Sequence, residues 1–162
     1  MLGLLAAGGL RGAAEDFISC PHSEAFEFIG FGFFENYPKW CPQVVEVEAL
    51  SPEPLEAGPM ARQVTLERGI KTESTFRISA FEPLSRIALT GVSERFNSSY
   101  ALEAADDQRT KIAFSFELEE LDLTMRPFSK LIRAALQEGA TQTVENLKRL
   151  LEAPAAREAR VA

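Results

Sequence analysis

The residues that most often announce a chemistry are scarce in this chain. It has one histidine, His22, and two cysteines, Cys20 and Cys41. Two cysteines that far apart make neither a disulfide framework nor a zinc site, and both read as small buried thiols. Clustered positive charge is missing as well. Lys and Arg number 17 against 24 Asp and Glu, a formal net charge of -7, and most of the cations sit singly near acids. A phosphate backbone requires a basic stripe, so no nucleic-acid partner is expected. No stretch is long and apolar enough for a transmembrane segment. No glycine-rich phosphate loop is present, since Gly8 and Gly9 are terminal and the other glycines are scattered. Metal-ligand spacing is absent too, and neither a metal nor a cofactor is expected.

What is present fits one α+β domain. Hydrophobic residues make up 46% and charged residues 25% of 162 residues, the balance of a globular protein. The opening "MLGLLAAGGLRG" is apolar, but it lacks a basic n-region and its apolar run is short for a signal peptide. Residues 1–14 are therefore expected to be a flexible extension or an over-called start, which leaves the cytoplasm as the default location. Residues 15–152 form the expected domain, and 153–162 a flexible tail.

Within that domain, "EDFISC" (15–20) reads as a short strand. Pro21 and Ser23 then introduce a helix carrying Ala25, Phe26, Phe28 and Ile29. A second short helix is expected around Glu35 to Lys39, stopping near Pro42. This stretch, "FENYPKWCPQV", crowds Tyr37 and the only tryptophan, Trp40, between prolines. Rings of that size are seldom left in open loops, so Trp40 is expected to be largely buried, either closing a corner of the core or, with Tyr37, lining a ligand entrance. "QVVEVEALS" alternates as a strand, and "PEPLEAGP" reads as a loop.

Alternation then persists for most of the way to Leu118. Val64 and Leu66 read as one face of a strand, with Gln63, Thr65 and Glu67 on the other, and Gly69 supplies a hairpin turn. Phe76 and Ile78, Ile87 and Leu89, Phe96, Ser98, Tyr100 and Leu102, then Ile112, Phe114, Phe116 and Leu118 continue the pattern. Strands joined by short turns make an antiparallel meander with one apolar face. The cover for that face is a helix from about Pro127 to Glu152, with Phe128, Ile132, Leu136, Gly139, Thr143, Leu147 and Leu150 on one broad stripe.

The segments "NYPKWCPQVVEVE", "RGIKTESTFRISAFEP" and "TVENLKRLLE", in this order of elements, resemble the SRPBCC (START-like, Bet v 1-like) superfamily. The likeness is to its polyketide cyclase/dehydrase branch and spans about Glu15 to Glu152. It implies a helix-grip fold: a curved antiparallel sheet of six to seven strands wrapped on a long C-terminal helix, with two short helices after the first strand. It also implies a ligand cavity between helix and sheet. The superfamily includes lipid carriers, hormone receptors and aromatase/cyclases, so fold alone does not choose among them.

A gap opposite the sheet is expected at the middle of the long helix, where Gly139, Ala140 and Thr143 are small. Candidate wall residues are Val64, Leu66, Phe76, Ile78, Ile87, Leu89, Phe96, Tyr100, Phe114 and Phe116. Candidate polar groups are Arg62, Ser98, Tyr100 and Thr143. The competing reading has Gly139 merely letting the helix approach the sheet, with Tyr100 filling the space. No serine or cysteine has an evident base beside it, so no catalytic residue is assigned. His22 reads as a surface or capping residue, and the acidic run Glu117, Glu119, Glu120 and Asp122 as a solvated face. The expected partner is a small hydrophobic molecule such as a polyketide, isoprenoid or lipid. The function is binding or, alternatively, cyclase/dehydratase chemistry in the same pocket; oligomeric state stays open.

Overall fold

The alternating middle of the chain closes into one seven-stranded antiparallel sheet in the computed structural model, which describes residues 9–153. The strands are β1 (Leu10–Ile18), β2 (Val44–Ala49), β3 (Met60–Glu67), β4 (Ile70–Glu82), β5 (Arg86–Gly91), β6 (Phe96–Asp106) and β7 (Arg109–Leu118). They lie in the order β1-β7-β6-β5-β4-β3-β2, so β1 and β2 are the edges. The helices are α1 (His22–Phe26), α2 (Phe33–Trp40) and the long α3 (Ser129–Glu152), with a π-helical stretch, Glu27–Phe31, between the first two. This is the helix-grip fold: α3 lies along the inner face of the sheet, and α1 and α2 close it.

Strand β1 begins at Leu10, earlier than the alternation near Glu15 suggested. Leu10 to Ala14 pair with Leu118 to Phe114 of β7, and Leu10 and Gly12 are buried, so these residues belong to the sheet and not to a free extension. The rest of the proposed extension, residues 1–8, and the tail after Ala153 lie outside the described residues. Helix α3 runs along β1 at very short range. A side chain at Gly12 would place its Cβ 2.2 Å from the Leu136 carbonyl oxygen, so only glycine admits the helix there. The same helix occupies part of the free edge of β1. Gln137 accepts from the Ala13 N–H (3.1 Å) and donates to its carbonyl (2.6 Å), while Lys148 donates to Phe17 O and Glu152 accepts from Ser19 N–H. An edge strand occupied this way offers few open groups to another chain.

The face of α3 that meets the sheet is centred on Ala140, Val144, Leu147 and Leu151. Gly139, expected to face inward, is exposed, with nothing within 4 Å of an added Cβ. The stripes 136-139-143-147-150 and 136-140-144-147-151 share Leu136 and Leu147 and differ by one residue of phase. The second carries Val144 and Leu151 where the first has Thr143 and Leu150, so it buries more apolar area. Phe128, expected on the buried stripe, is 52% exposed.

Strand β3 is also turned over relative to the pattern. Arg68 and Gly69 both have positive φ (51° and 79°) and form a two-residue turn whose twist suits a hairpin. That turn sets Leu66 opposite Lys71, Gln63 opposite Ser74 and Ala61 opposite Phe76. Phe76 is fully buried, so its partner Ala61 must face inward with it, and Gln63 follows two residues later. Arg62, Val64 and Leu66 therefore point to the outer face.

Candidate functional site

Residues directly opposite across neighbouring strands share a face, so the pairing register identifies the inner surface. It runs from Gln63 and Ser74 through Phe76, Ile78 and Leu89 to Ser98 and Tyr100, then to Phe114 and Phe116. Of the expected site residues, Phe76, Ile78, Leu89, Phe96, Ser98, Tyr100 and Phe114 are all buried on this face, as is Ile87, and Phe116 is partly buried. Arg62, Val64, Leu66 and Gly139 are not among them. Thr143 is half-buried and its hydroxyl donates to Gly139 O (2.9 Å), so its polar group serves the helix backbone.

Arg62 borders an outer hollow of about 390 Å³ between α2 and the β2–β3 edge. Its guanidinium is shared by Glu46 (2.9 Å), Glu48 (2.9 Å) and Glu73 (3.5 Å). Hydrogen bonds to Glu48 and Glu46 hold it more firmly protonated than an ordinary arginine. Committed to these three carboxylates, it faces away from the interior.

Aromatic rings fill the α2 side of the interior. Phe33 stacks on Tyr37 at 4.6 Å between centroids, Trp40 meets Tyr100 edge-on at 5.7 Å, and Tyr100 leans on Phe114 at 4.8 Å. The Trp40 indole N–H donates to the Tyr100 hydroxyl (3.1 Å), and the Asn146 amide on α3 donates to the Trp40 carbonyl (3.0 Å). Trp40 is 1% exposed. It joins α2, α3 and β6, which is the corner-closing role expected of it. A second pair, Phe96 and Phe116, stacks at 5.3 Å nearer the β7 C-terminus. The adjoining segment leaves Leu123, Met125, Phe128 and Leu131 exposed.

The polar groups of this interior are neutral. Burial raises the Tyr37 phenol well above its ordinary value, and burial raises Tyr100 too. The Cys41 thiol, hydrogen-bonded to Tyr37, is pushed up to about 12, chiefly by burial. These groups stay protonated at neutral pH and serve as hydrogen-bond partners, not as bases. His22 lies apart at the start of α1, its Nε2 on the Leu84 carbonyl. Gln63 and Ser74, which the apolar pattern assigned to the outer face or passed over, are 7% and 5% exposed. Gln63 Nε2 donates to Ser74 Oγ at 3.2 Å, and its Oε1 is buried without a partner. The readable signal for this pair was the "RG" turn, which sets the pairing once Phe76 is taken as core.

The family described as polyketide cyclase / dehydrase and lipid transport matches residues 13–152. No curated protein matches the sequence. Solved structures match the fold closely. An aromatase/cyclase, Zhui, from a Streptomyces species aligns with a TM-score of 0.72 at 12% identity, over 95% of this chain and 96% of that one. The TTHA0849 protein of Thermus thermophilus gives 0.70 at 16% identity, over 89% and 99%. A START superfamily protein from Mycobacterium smegmatis gives 0.65 at 12% identity, over 86% and 98%. At such identities the likeness carries the fold and leaves the chemistry to be argued from the site.

Proposed function

The chain belongs to the polyketide cyclase / dehydrase and lipid transport family, within the START-like superfamily, and from that premise we propose that it binds a small hydrophobic or amphipathic molecule between the sheet and α3. The observation that carries this reading is the make-up of the inner face: an aromatic and aliphatic surface interrupted by a few neutral hydrogen-bonding groups, Gln63, Ser74, Ser98 and Tyr100. Ligand sites have this composition, apolar area for affinity and sparse polar groups for orientation. The ligand's apolar body lies against Phe76, Leu89, Phe96, Phe114 and Phe116. Entry is past the exposed apolar segment Leu123 to Leu131, since exposed apolar patches commonly mark interaction or ligand sites. A polyketide, isoprenoid or lipid fits this description.

Cyclase or dehydratase chemistry in the same interior is the second reading, favoured by the buried phenol of Tyr100, which is held neutral and hydrogen-bonded. A neutral hydroxyl that hydrogen-bonds a substrate carbonyl in a water-poor, shaped site assists the cyclisation of a reactive polyketide. Native mass spectrometry of protein purified without detergent tests the binding reading. An adduct of a few hundred daltons that is lost on denaturation is expected. Protein that carries nothing, and that leaves Trp40 fluorescence unchanged when apolar probes are added, would end it. Turnover of a linear polyketide substrate, abolished in Tyr100→Phe, would establish the second reading over simple carriage.

Among the described residues, no helix is long and apolar enough to cross a membrane.

A further inference from the structure

The inner face of the β3–β4 hairpin carries a polar pair that the protein itself leaves incomplete. Gln63 and Ser74 face each other across the ladder, both more than nine-tenths buried. One end of the Gln63 amide is used, donating to Ser74 Oγ at 3.2 Å, while its oxygen accepts nothing. Buried acceptors are almost always paired, and replacing both members of such a pair by apolar side chains of the same shape is close to neutral for folding. Stability therefore does not explain a glutamine at this position. A donor brought in from outside the chain would complete the pair.

The surroundings define that group. Next along the face is Phe76, and beyond it the ring of Phe96 lies over Gly91, 2.5 Å from where a Cβ there would sit, and stacks on Phe116. An aromatic track thus leads away from the amide. No positive charge faces it from β3: Arg62, the neighbouring residue, points to the other face and is held by Glu46, Glu48 and Glu73. A carboxylate brought to this spot would meet an amide oxygen and lose its hydration without compensation. A hydroxyl or N–H donor would complete the pair.

We propose that Gln63, braced by Ser74, is the polar anchor of the interior and selects a neutral, hydroxyl-bearing apolar ligand over its ether and its carboxylate counterparts. The ligand's O–H donates to Gln63 Oε1 while its apolar body lies along Phe76 and Phe96. This inference rests on the reading that the inside of the grip takes an apolar molecule.

Calorimetric titration of the full chain at neutral pH with 2-naphthol, 2-methoxynaphthalene and 2-naphthoate tests both layers separately. In the wild type 2-naphthol is expected to bind roughly tenfold more tightly than the ether or the carboxylate, the effect of completing one buried acceptor. In Gln63→Leu the preference for the alcohol over the ether should vanish while ether binding persists. Gln63→Met provides the same comparison if the leucine variant fails to fold. Equal binding of alcohol and ether by the wild type, tighter binding of naphthoate, or a preference that survives in the variants would overturn the anchor and leave the apolar pocket standing. Absence of binding by all three probes would overturn the pocket and the anchor together.

Discussion

Replacing Gly12 by alanine puts a methyl group where the backbone of α3 already is. The new Cβ would lie 2.2 Å from the Leu136 oxygen, 2.4 Å from its carbonyl carbon and 2.7 Å from the Gln137 nitrogen. None of these atoms is the end of a flexible side chain, so strand and helix must part by roughly 1 Å to regain van der Waals contact. Overpacking of this kind typically costs about 1–3 kcal/mol. The movement also stretches the paired hydrogen bonds between Gln137 and Ala13, each worth about 1 kcal/mol net. The expected destabilisation is roughly 2–4 kcal/mol, which for a chain of this length lowers Tm by about 5–15 °C. Gly139→Ala is the matched control on the same helix. Nothing lies within 4 Å of its added Cβ, so the helix propensity of alanine should stabilise by up to about 1 kcal/mol. Thermal melts followed by circular dichroism on the two variants decide the matter. A Gly12→Ala protein that melts with the wild type, or a Gly139→Ala protein that melts well below it, would show that the helix does not rest on β1 as described.

Trp40→Ala removes the ring that joins α2, α3 and β6, and should cost roughly 3–5 kcal/mol by urea denaturation; an unchanged midpoint would contradict the corner-closing role. Arg62→Ala should leave probe binding at its wild-type value, because the guanidinium is held on the outer face by three glutamates; a loss of affinity would return Arg62 to the site. Stability should fall in alkali. Cys41, Tyr37 and Tyr100 have folded-state pKa values raised above those of the unfolded chain, so the unfolded state releases their protons first. The Cys41 contribution is whole below the ordinary thiol value of 9.0 and is lost as pH rises toward about 12, at up to about 1.4 kcal/mol per pH unit, and the two tyrosines add to the decline above their ordinary value of 10.0. Urea midpoints that stay level across that window, or a decline that Cys41→Ala does not make shallower, would refute the assignment.

Much of this fold is legible in the amino-acid sequence. Alternation in β4, β6 and β7, the "RG" turn and the aromatic crowding around Trp40 are local features, and local sterics and burial decide them. Their inward residues Phe76, Ile78, Ser98, Tyr100 and Phe114 lie on the expected face. Strand β3 is less direct, because Val64 and Leu66 look inward by hydropathy alone. The turn length and the demands of Phe76 override that preference, since a shift of one residue would turn the whole strand over. The cost of exposing Leu66 is smaller than that of exposing Phe76.

Other features depended on elements distant in sequence meeting in space. The phase of α3 turns on which of two nearly equal stripes the sheet accepts, and the sheet accepts Ala140, Val144, Leu147 and Leu151. The glycine that permits close approach is Gly12 on the strand, not Gly139 on the helix, and no local pattern distinguishes them. Likewise the Gln63–Ser74 pair becomes a buried, half-satisfied group only once β3, β4 and the covering helices are assembled. The sequence by itself determined the elements, their order and most of their inward faces, because these follow from periodicity and chain stiffness. Tertiary structure alone decided where backbones touch and which polar group lies in the interior without a partner, because those are properties of distances between segments more than a hundred residues or a whole hairpin apart.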